Sequence, residues 1–383
     1  MKIKAFAAIV LTLILAFSLC ACNEEPQRGV GMDVEIDFSE DEAEIEYEGN
    51  YTKELAGTTI NVFNWGEYIP DGTEGSLDIN KAFTKLTGIK INYTTYESNE
   101  AMYSKLKGGG VSYDIIIPSD YMIERMKKEG MLKKVDTSSL SNYKYIADRY
   151  KNLYFDEKNE YSVPYCVGMV GLIYNSAMID EKPDSWGVMW DERYNDDILN
   201  FNNPRDAFAV AQLYMGYNLN SSDLSKWDSA AEKLKEQKTI LQSYVMDEIF
   251  QKMEDGEAAI APYYAGDFLL MKDNNPDLEF VYPKEGVNIF VDSICIPKSS
   301  KNYEAAMMYI NFLLEPEIAL EIAEYVMYAS PHTGVTGNED YSLRDNEYLY
   351  PAEENYPKVQ YFSDIPEEIR LYYERLWEEV KLH

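Results

Sequence analysis

The stretch at residues 59–63, Thr-Ile-Asn-Val-Phe, alternates apolar and polar side chains and is rich in β-branched residues, which predicts a β-strand. From here to residue 130 the same alternation of strand and helix patterns recurs. The predicted strands cover 59–63, 89–93 and 113–118, and the predicted helices cover 77–86, 100–107 and 120–129. Strands that alternate with helices are typical of an α/β domain with a parallel sheet.

A second α/β set follows residue 164. It contains predicted strands at 167–174, 258–262 and 289–297, and predicted helices at 206–217, 225–236, 247–255, 303–314, 316–328 and 367–382. We predict two lobes, formed by 57–164 with about 288–335 and by 165–287 with about 336–383. Because the chain crosses between the lobes more than once, a ligand cleft is expected where they meet.

The N-terminus reads as an export signal. Lys2 and Lys4 precede an apolar run over residues 5–19, and the chain then reads Leu-Cys-Ala-Cys at 19–22. This pattern predicts a lipoprotein signal peptide at 1–21 and a lipid anchor on the Cys22 thiol. An ordinary secretory signal is the alternative. Residues 22–56 are predicted to form a flexible acidic tether, since nine acidic and no basic side chains lie between residues 33 and 48. A partner-binding tail is the second interpretation of this segment.

Composition argues against several classes of function. The formal charge of −32 repels nucleic acid and attracts cations, although solubility alone also accounts for such an excess. His332 and His383 are the two histidines, which disfavours a hydrolase triad or a histidine-rich metal centre. Cys166 and Cys295 are predicted to be free buried thiols rather than a disulfide. We find neither a nucleophile elbow nor an H-E-x-x-H motif.

Aromatic and acidic residues, and one serine, follow several predicted strands. They are Trp65, Tyr68, Ser119, Tyr121, Tyr263 and Tyr264, with Tyr328 at a helix end and the carboxylates Asp206 and Asp292 in similar positions. Flat rings suit methylene chains, and rings with carboxylates suit ammonium groups. With 33 tyrosines in the chain, an ordinary core or surface ring is the competing interpretation of each position. The pattern by itself indicates a ligand-binding protein of unknown specificity.

Several strings, in this order and spacing, resemble the spermidine/putrescine-binding proteins of polyamine ABC importers. They are NWGEYIP at 64–70, TYESNEAMY at 95–103, YD at 113–114, PSDY at 118–121, YSVPY at 161–165, PKEG at 283–286, VDS at 291–293 and INFLL at 310–314. The resemblance runs from about residue 58 to the C-terminus. It implies a two-lobed periplasmic-binding-protein fold of type II, with a hinge and an interlobe cleft that closes on the ligand.

Carried over position by position, the resemblance implies a polyamine site. Its members would be Trp65, Tyr68, Ser119, Tyr121, Asn203, Asp206, Tyr263, Phe290, Asp292, Tyr328 and Gln360, with Asp292 as the main ammonium partner. Four positions depart from the family pattern. Asn203 stands where a carboxylate is expected, Tyr263 and Phe290 replace tryptophans, and Gly66 replaces a threonine.

The resemblance also implies the biological setting. The expected protein is an extracytoplasmic monomer without cofactor or enzymatic activity, which delivers polyamine to a membrane permease driven by a cytoplasmic ATPase. Three alternatives stay open from the sequence. The first is a site for ferric iron, built on Tyr263 and Tyr264, or for another cationic solute; the second is a polyamine-modifying enzyme; the third is a purely structural surface lipoprotein.

Overall fold

The computed structural model describes residues 45–383, so the predicted signal peptide, Cys22 and residues 22–44 of the predicted tether lie outside the described residues. The strands are β1 (Thr59–Trp65), β2 (Lys90–Tyr96), β3 (Ile115–Ile116), β4 (Ser162–Asn175), β5 (Ile198–Phe201), β6 (Leu241–Val245), β7 (Ile260–Tyr264), β8 (Leu278–Val281), β9 (Val287–Cys295) and β10 (Val359–Gln360). The helices are α1 (Ile79–Thr87), α2 (Asn99–Gly108), α3 (Asp120–Lys128), α4 (Pro204–Tyr214), α5 (Leu224–Lys238), α6 (Glu248–Glu254), α7 (Ala265–Asn274), α8 (Tyr303–Leu313), α9 (Pro316–Val326), α10 (Thr333–Thr336) and α11 (Glu367–Leu382).

Two groups of parallel strands are joined by two long antiparallel strands. The strand order is β2-β1-β3-β9-β4-β7-β5-β6, with β8 beside β4 and β10 beside β9. β1 is parallel to β2 and β3, and β5 is parallel to β6 and β7. The first part of β4 pairs with β9 and its last part pairs with β7 and β8. The architecture is therefore the expected two-lobed α/β fold, in which β4 and β9 connect the halves.

Local signals in the sequence explain where the first elements begin and end. Asp78 caps α1 by accepting a hydrogen bond from the backbone N–H of Lys81 at 2.9 Å. Gly88 ends this helix with φ 74°, in the left-handed region that glycine adopts without a steric penalty. Ser98 caps α2 in the same way, through the backbone N–H of Ala101. The predicted strand–helix order over residues 59–130 is confirmed.

The second half of the chain contains elements that the sequence analysis missed. They include β5, β6, β8 and α7, at 198–201, 241–245, 278–281 and 265–274, and the short elements α10 and β10. β5 and β6 lack alternation, since all four residues of β5 are buried, and β8 alternates but is only four residues long. A short, fully buried run carries no period that distinguishes strand from helix. The predicted lobe boundary at 164/165 falls inside the continuous strand β4, and the division into lobes stays a prediction.

The last part of the predicted tether, residues 45–56, packs against the folded body, so assigning it to a flexible tether was wrong. Glu315, which is 1% exposed, accepts hydrogen bonds from the backbone N–H groups of Glu48 and Gly49, each at 2.8 Å. The ring of Tyr51 meets Phe312 edge-on at 5.8 Å. A buried carboxylate that needs donors, together with an aromatic contact, holds this acidic segment in place.

Two further features concern the described part of the chain. Cys166 and Cys295 are both buried free thiols, as predicted. Of the helices in residues 45–383, none combines the length and the apolar character that a membrane crossing requires.

Candidate functional site

Rings from both halves of the molecule form one continuous row. Its members, which we call the aromatic row, are Trp65, Tyr68, Tyr328, Phe290, Tyr264 and Tyr263. Successive ring centroids are separated by 6.4, 6.1, 6.1, 5.6 and 4.9 Å. The row begins where β1 ends, passes over β9 and finishes at the end of β7. Strands and a helix end from the two lobes thus bring together five predicted site residues and Tyr264, which was not in the predicted site.

Each of three tyrosines in the aromatic row donates a hydrogen bond to a carboxylate. The pairs are Tyr68 with Asp292 at 2.6 Å, Tyr328 with Asp267 at 3.1 Å, and Tyr264 with Asp206 at 3.0 Å. None of these three carboxylates forms an ion pair with a Lys, Arg or His of residues 45–383. Buried anions without a cationic partner are costly, and ligand sites are where such groups are retained.

Asp292 is the most enclosed of these acids, with 3% of its surface exposed. Burial raises the pKa of its carboxyl from 3.8 to about 6, and the hydrogen bond from Tyr68 opposes the shift. Its Oδ1 atom has no hydrogen-bond partner within residues 45–383. Ser119 lies beside it, because the two residues form an isolated antiparallel β-bridge. The thiol of Cys166 is 2.6 Å from the hydroxyl of Tyr68.

Asp206 and Asn203 lie together at the start of α4. Asn203 caps this helix through the backbone N–H of Arg205, and its amide Nδ2 donates to Asp206 Oδ2 at 2.8 Å. Burial raises the pKa of Asp206 to about 6, against the hydrogen bond from Tyr264 and the nearby charge of Arg205. Asn203 therefore positions the Asp206 carboxylate and adds no charge of its own.

Asp267 is a site residue that the sequence analysis missed. It lies in the first turn of α7, three residues after Tyr264, and its side chain is half-buried. Burial raises the pKa of its carboxyl from 3.8 to about 7. The sequence signal was available as Tyr-Tyr-x-x-Asp at 263–267, since positions three apart at a helix start lie on the same side of the chain. Its partner Tyr328, distant in sequence, could not be read from that string.

Two of the predicted residues, Tyr121 and Gln360, form their side-chain hydrogen bonds with neither the aromatic row nor its three carboxylates. Tyr121 donates its hydroxyl to Glu100 at 3.0 Å and meets the ring of Phe362 edge-on at 6.1 Å. Gln360 uses its amide to hold the backbone of the 217–219 segment, through Leu219 N–H at 3.1 Å and Tyr217 C=O at 3.2 Å. The contacts of Gln360 therefore fix a loop, and its predicted role in the ligand site stays a prediction.

Residues 45–383 also contain a cavity close to the site but no cluster of metal-binding side chains. No group of three or more His, Cys, Asp or Glu side chains is arranged to hold a metal ion there. A cavity of about 190 Å³ lies beside β4 and β9, lined by Val167, Met169, Ile289 and several tyrosines. None of the eleven predicted ligand residues lines this cavity, but two of its lining residues, Gly168 and Gly266, lie against the rings of Phe290 and Tyr328 in the aromatic row.

The protein has two lobes that β4 and β9 connect, and residues of both lobes form the candidate site. This arrangement is that of a two-lobed solute-binding protein. The profile of the family "Bacterial extracellular solute-binding protein" matches residues 112–353. The spermidine/putrescine-binding periplasmic protein of Salmonella typhimurium is 35% identical over 318 residues, covering 82% of this chain and 90% of the relative. This chain belongs to the family of bacterial extracellular solute-binding proteins.

Solved structures agree with this assignment. A putative spermidine/putrescine ABC transporter protein from Listeria monocytogenes is 36% identical, with a TM-score of 0.78, covering 85% of this chain and 99% of that protein. The substrate-binding protein of a spermidine/putrescine ABC transporter from Streptococcus pneumoniae is 33% identical, with a TM-score of 0.73 and the same coverage. The type II fold expected from the resemblance is confirmed.

Proposed function

We propose that this protein captures a polyamine such as spermidine or putrescine outside the cell membrane and delivers it to an ABC permease. The observation that carries the proposal is the set of three tyrosine-bound carboxylates along the aromatic row, none of which forms an ion pair with a Lys, Arg or His of the described residues 45–383. A linear polyamine alternates apolar methylene segments with ammonium groups. The rings and the carboxylates of this site alternate in the same manner.

The energetics favour such a ligand. A cation over a ring contributes about 0.5–2 kcal/mol. A carboxylate about 4 Å from an ammonium contributes on the order of 4 kcal/mol at an effective dielectric near 20, before desolvation is subtracted. In this structure Asp292 and Asp206 are buried and Asp267 is half-buried, so an ammonium bound beside them interacts with each carboxylate at a lower effective dielectric than in water, where the attraction is stronger.

The ring spacing also indicates how binding proceeds. Neighbouring rings of the aromatic row are 4.9–6.4 Å apart, which is direct ring-to-ring contact. An alkyl chain enters between such rings only after they separate. Because Tyr68 and Tyr264 belong to opposite halves of the molecule, separation of the lobes opens the row and closure around the ligand restores an enclosed site.

Ferric iron is less well supported by the same geometry. Tyr263 and Tyr264 are adjacent, with ring centroids 4.9 Å apart. The Tyr264 hydroxyl donates a hydrogen bond to Asp206 at 3.0 Å, and within residues 45–383 no group of three or more His, Cys, Asp or Glu side chains is arranged to hold a metal ion beside the pair. A visible charge-transfer band on addition of Fe³⁺ would favour iron over polyamine.

The proposed setting is the outer face of the cell membrane. The Cys22 thiol carries the lipid anchor, the chain acts as a monomer without catalytic activity, and the permease and its cytoplasmic ATPase are its partners. These points rest on the N-terminal sequence and on the family. Growth on radiolabelled palmitate tests the anchor, since Cys22→Ala is expected to abolish incorporation.

Titration calorimetry of the full-length protein with spermidine and putrescine tests the binding function. We expect Asp292→Asn to weaken spermidine binding roughly 30-fold or more and Trp65→Ala to weaken it roughly 10-fold. Asp273→Asn is the matched control, because Asp273 is an exposed acid on α7. If wild-type protein binds neither amine, the function is wrong. If both site variants bind as tightly as wild type, the site is wrong.

A further inference from the structure

The cavity beside β4 and β9 lies on the opposite face of these strands from the aromatic row. Successive residues of a strand point to opposite faces. Ile289 lines the cavity, whereas its neighbour Phe290 belongs to the row. Val167 and Met169 line the cavity on either side of Gly168, against which the ring of Phe290 packs. The two strands that connect the lobes therefore form a common wall between the cavity and the row.

The other walls come from both halves of the chain and are rich in aromatic rings. Arg149 precedes β4, in the predicted first lobe, and Ala265 begins α7, in the predicted second lobe. Five tyrosines complete the lining, namely Tyr150, Tyr282, Tyr348, Tyr350 and Tyr356. The cavity measures about 190 Å³, and a cavity of about 150 Å³ is large enough for benzene. A compound with one aromatic ring therefore fits, and ring faces are available to pack against it.

The lining carries one charged side chain, and its charge is positive. Arg149 is that residue, and the described residues that line the cavity include no Asp or Glu. Because the chain has 67 acidic and 35 basic side chains, a wall without an acid departs from its general charge. Arg149 is exposed, lies 4.7 Å from the ring centroid of Tyr150, and forms no ion pair within residues 45–383. This guanidinium is available to an anion.

Two hydroxyl groups near the guanidinium are also available. The side chains of Tyr150 and Tyr356 line the cavity, and neither hydroxyl forms a hydrogen bond within residues 45–383. Burial raises the pKa of both hydroxyls, and the nearby charge of Arg149 opposes the rise at each of them. Both groups are therefore neutral phenols that can donate. A planar guanidinium and two phenols form a suitable donor set for a carboxylate.

We propose that this cavity is a second binding site, which takes a small aromatic carboxylate and whose occupation strengthens polyamine binding at the aromatic row. The carboxylate pairs with Arg149 and accepts hydrogen bonds from Tyr150 and Tyr356, and the ring packs among the tyrosines. The existence of the site is independent of the proposed polyamine-binding function, whereas its effect on polyamine affinity rests on that function.

The direction of the effect follows from the position of the cavity behind the connecting strands. Neighbouring rings of the aromatic row are in contact, so the lobes are closed on that side. When the lobes separate there by bending at β4 and β9, the elements on the opposite face approach each other and the cavity narrows. A compound that fills the cavity therefore favours the closed arrangement. By linkage, the carboxylate and the polyamine then raise each other's affinity by the same factor.

Benzoate is the probe for the site, and benzamide is its uncharged control of similar shape. In ligand-detected NMR titrations of the full-length protein, we expect a benzoate Kd on the order of 1 mM, as for a one-ring ligand. Benzamide is expected to bind at least about 10-fold more weakly, because it lacks the charge that pairs with Arg149.

The variant Arg149→Gln is expected to weaken benzoate binding at least about 10-fold. Arg375→Gln is the matched control, because Arg375 is an exposed arginine on α11 that does not line the cavity, and it is expected to keep the wild-type Kd. The site is overturned if wild-type protein does not bind benzoate, if benzamide binds as tightly as benzoate, or if Arg149→Gln leaves the benzoate Kd unchanged.

Calorimetry with spermidine tests the effect on the aromatic row. Each titration is run in sodium benzoate at about ten times its Kd and in sodium chloride of equal ionic strength, because salt alone screens the amine from the carboxylates. We expect benzoate to lower the spermidine Kd of wild-type protein roughly 5-fold and to leave that of Arg149→Gln unchanged. In chloride the two proteins are expected to share one Kd, since Arg149 is not part of the row.

The possible failures are distinguishable. A spermidine Kd that is unchanged or higher in benzoate overturns the coupling, even where the NMR titrations support the site. Failure of wild-type protein to bind spermidine in chloride overturns the proposed function instead. The benzoate titrations need no polyamine, so they decide the existence of the second site in either case.

Discussion

Replacing Asp292 by asparagine is expected to stabilise the unliganded protein at alkaline pH. The Asp292 carboxyl is 3% exposed and its pKa is raised from 3.8 to about 6 by burial. A carboxyl whose pKa is higher in the folded state favours folding only while it is protonated. The contribution of the Asp292 carboxyl to the free energy of unfolding is fully present below about pH 4 and is lost as the pH rises through about 6.

The magnitude follows from the size of the shift. Each pKa unit corresponds to about 1.4 kcal/mol, so ionised Asp292 costs the folded protein about 3 kcal/mol at pH 8. At pH 4.5 the same group costs about 1 kcal/mol, because it is protonated in the folded state and only partly ionised in the unfolded chain. The variant removes this cost, and its amide oxygen still accepts the hydrogen bond from Tyr68.

Urea denaturation without ligand provides the assay. The free energy of unfolding of Asp292→Asn is expected to exceed that of wild type by about 3 kcal/mol at pH 8 and by about 1 kcal/mol at pH 4.5. The exposed control Asp273→Asn is expected to match wild type at both values. A variant that is less stable than wild type at pH 8, or equally shifted at both pH values, would refute the electrostatic reasoning. The expected result would mean that the ionised Asp292 carboxylate lowers the stability of the unliganded protein and is retained for ligand binding.

Three further predictions use other parts of the structure. Gly168→Ala is expected to weaken spermidine binding at least 10-fold by calorimetry. The new Cβ would lie 2.1 Å from the ring of Phe290 and would displace that ring, so an unchanged affinity would contradict the prediction. Glu315→Ala is expected to lower the free energy of unfolding, measured in urea, by about 3 kcal/mol, because it leaves two backbone donors of residues 45–56 unpaired. A loss below about 1 kcal/mol would show that this segment contributes little to stability. Asn203→Asp places a second carboxyl group beside Asp206 and keeps the helix cap. The spermidine affinity of this variant is therefore expected to rise more steeply between pH 6 and pH 8 than that of wild type, and parallel pH profiles would contradict the prediction.

Local pattern predicted much of the fold. The elements over residues 59–130 and the helix Glu367–Leu382 match their predicted positions closely, because alternation, helical periodicity and caps are properties of neighbouring residues. The sequence also marked rings and acids at strand ends, including Trp65, Tyr68 and Asp292. The short strands β5 and β6 show no alternation, and β8 alternates over only four residues. The acidic composition of residues 45–56 did not indicate that this segment packs onto Glu315.

The sequence by itself determined that this chain is an α/β solute-binding protein with aromatic and acidic residues available for a cationic ligand. Only the tertiary structure decided which ring holds which acid. Tyr328 meets Asp267 across 61 positions of the chain and Tyr68 meets Asp292 across 224, and no local pattern specifies such pairs. Side-chain contacts of this kind are set by how the two lobes pack at β4 and β9, whereas strand and helix patterns depend on residues only a few positions apart.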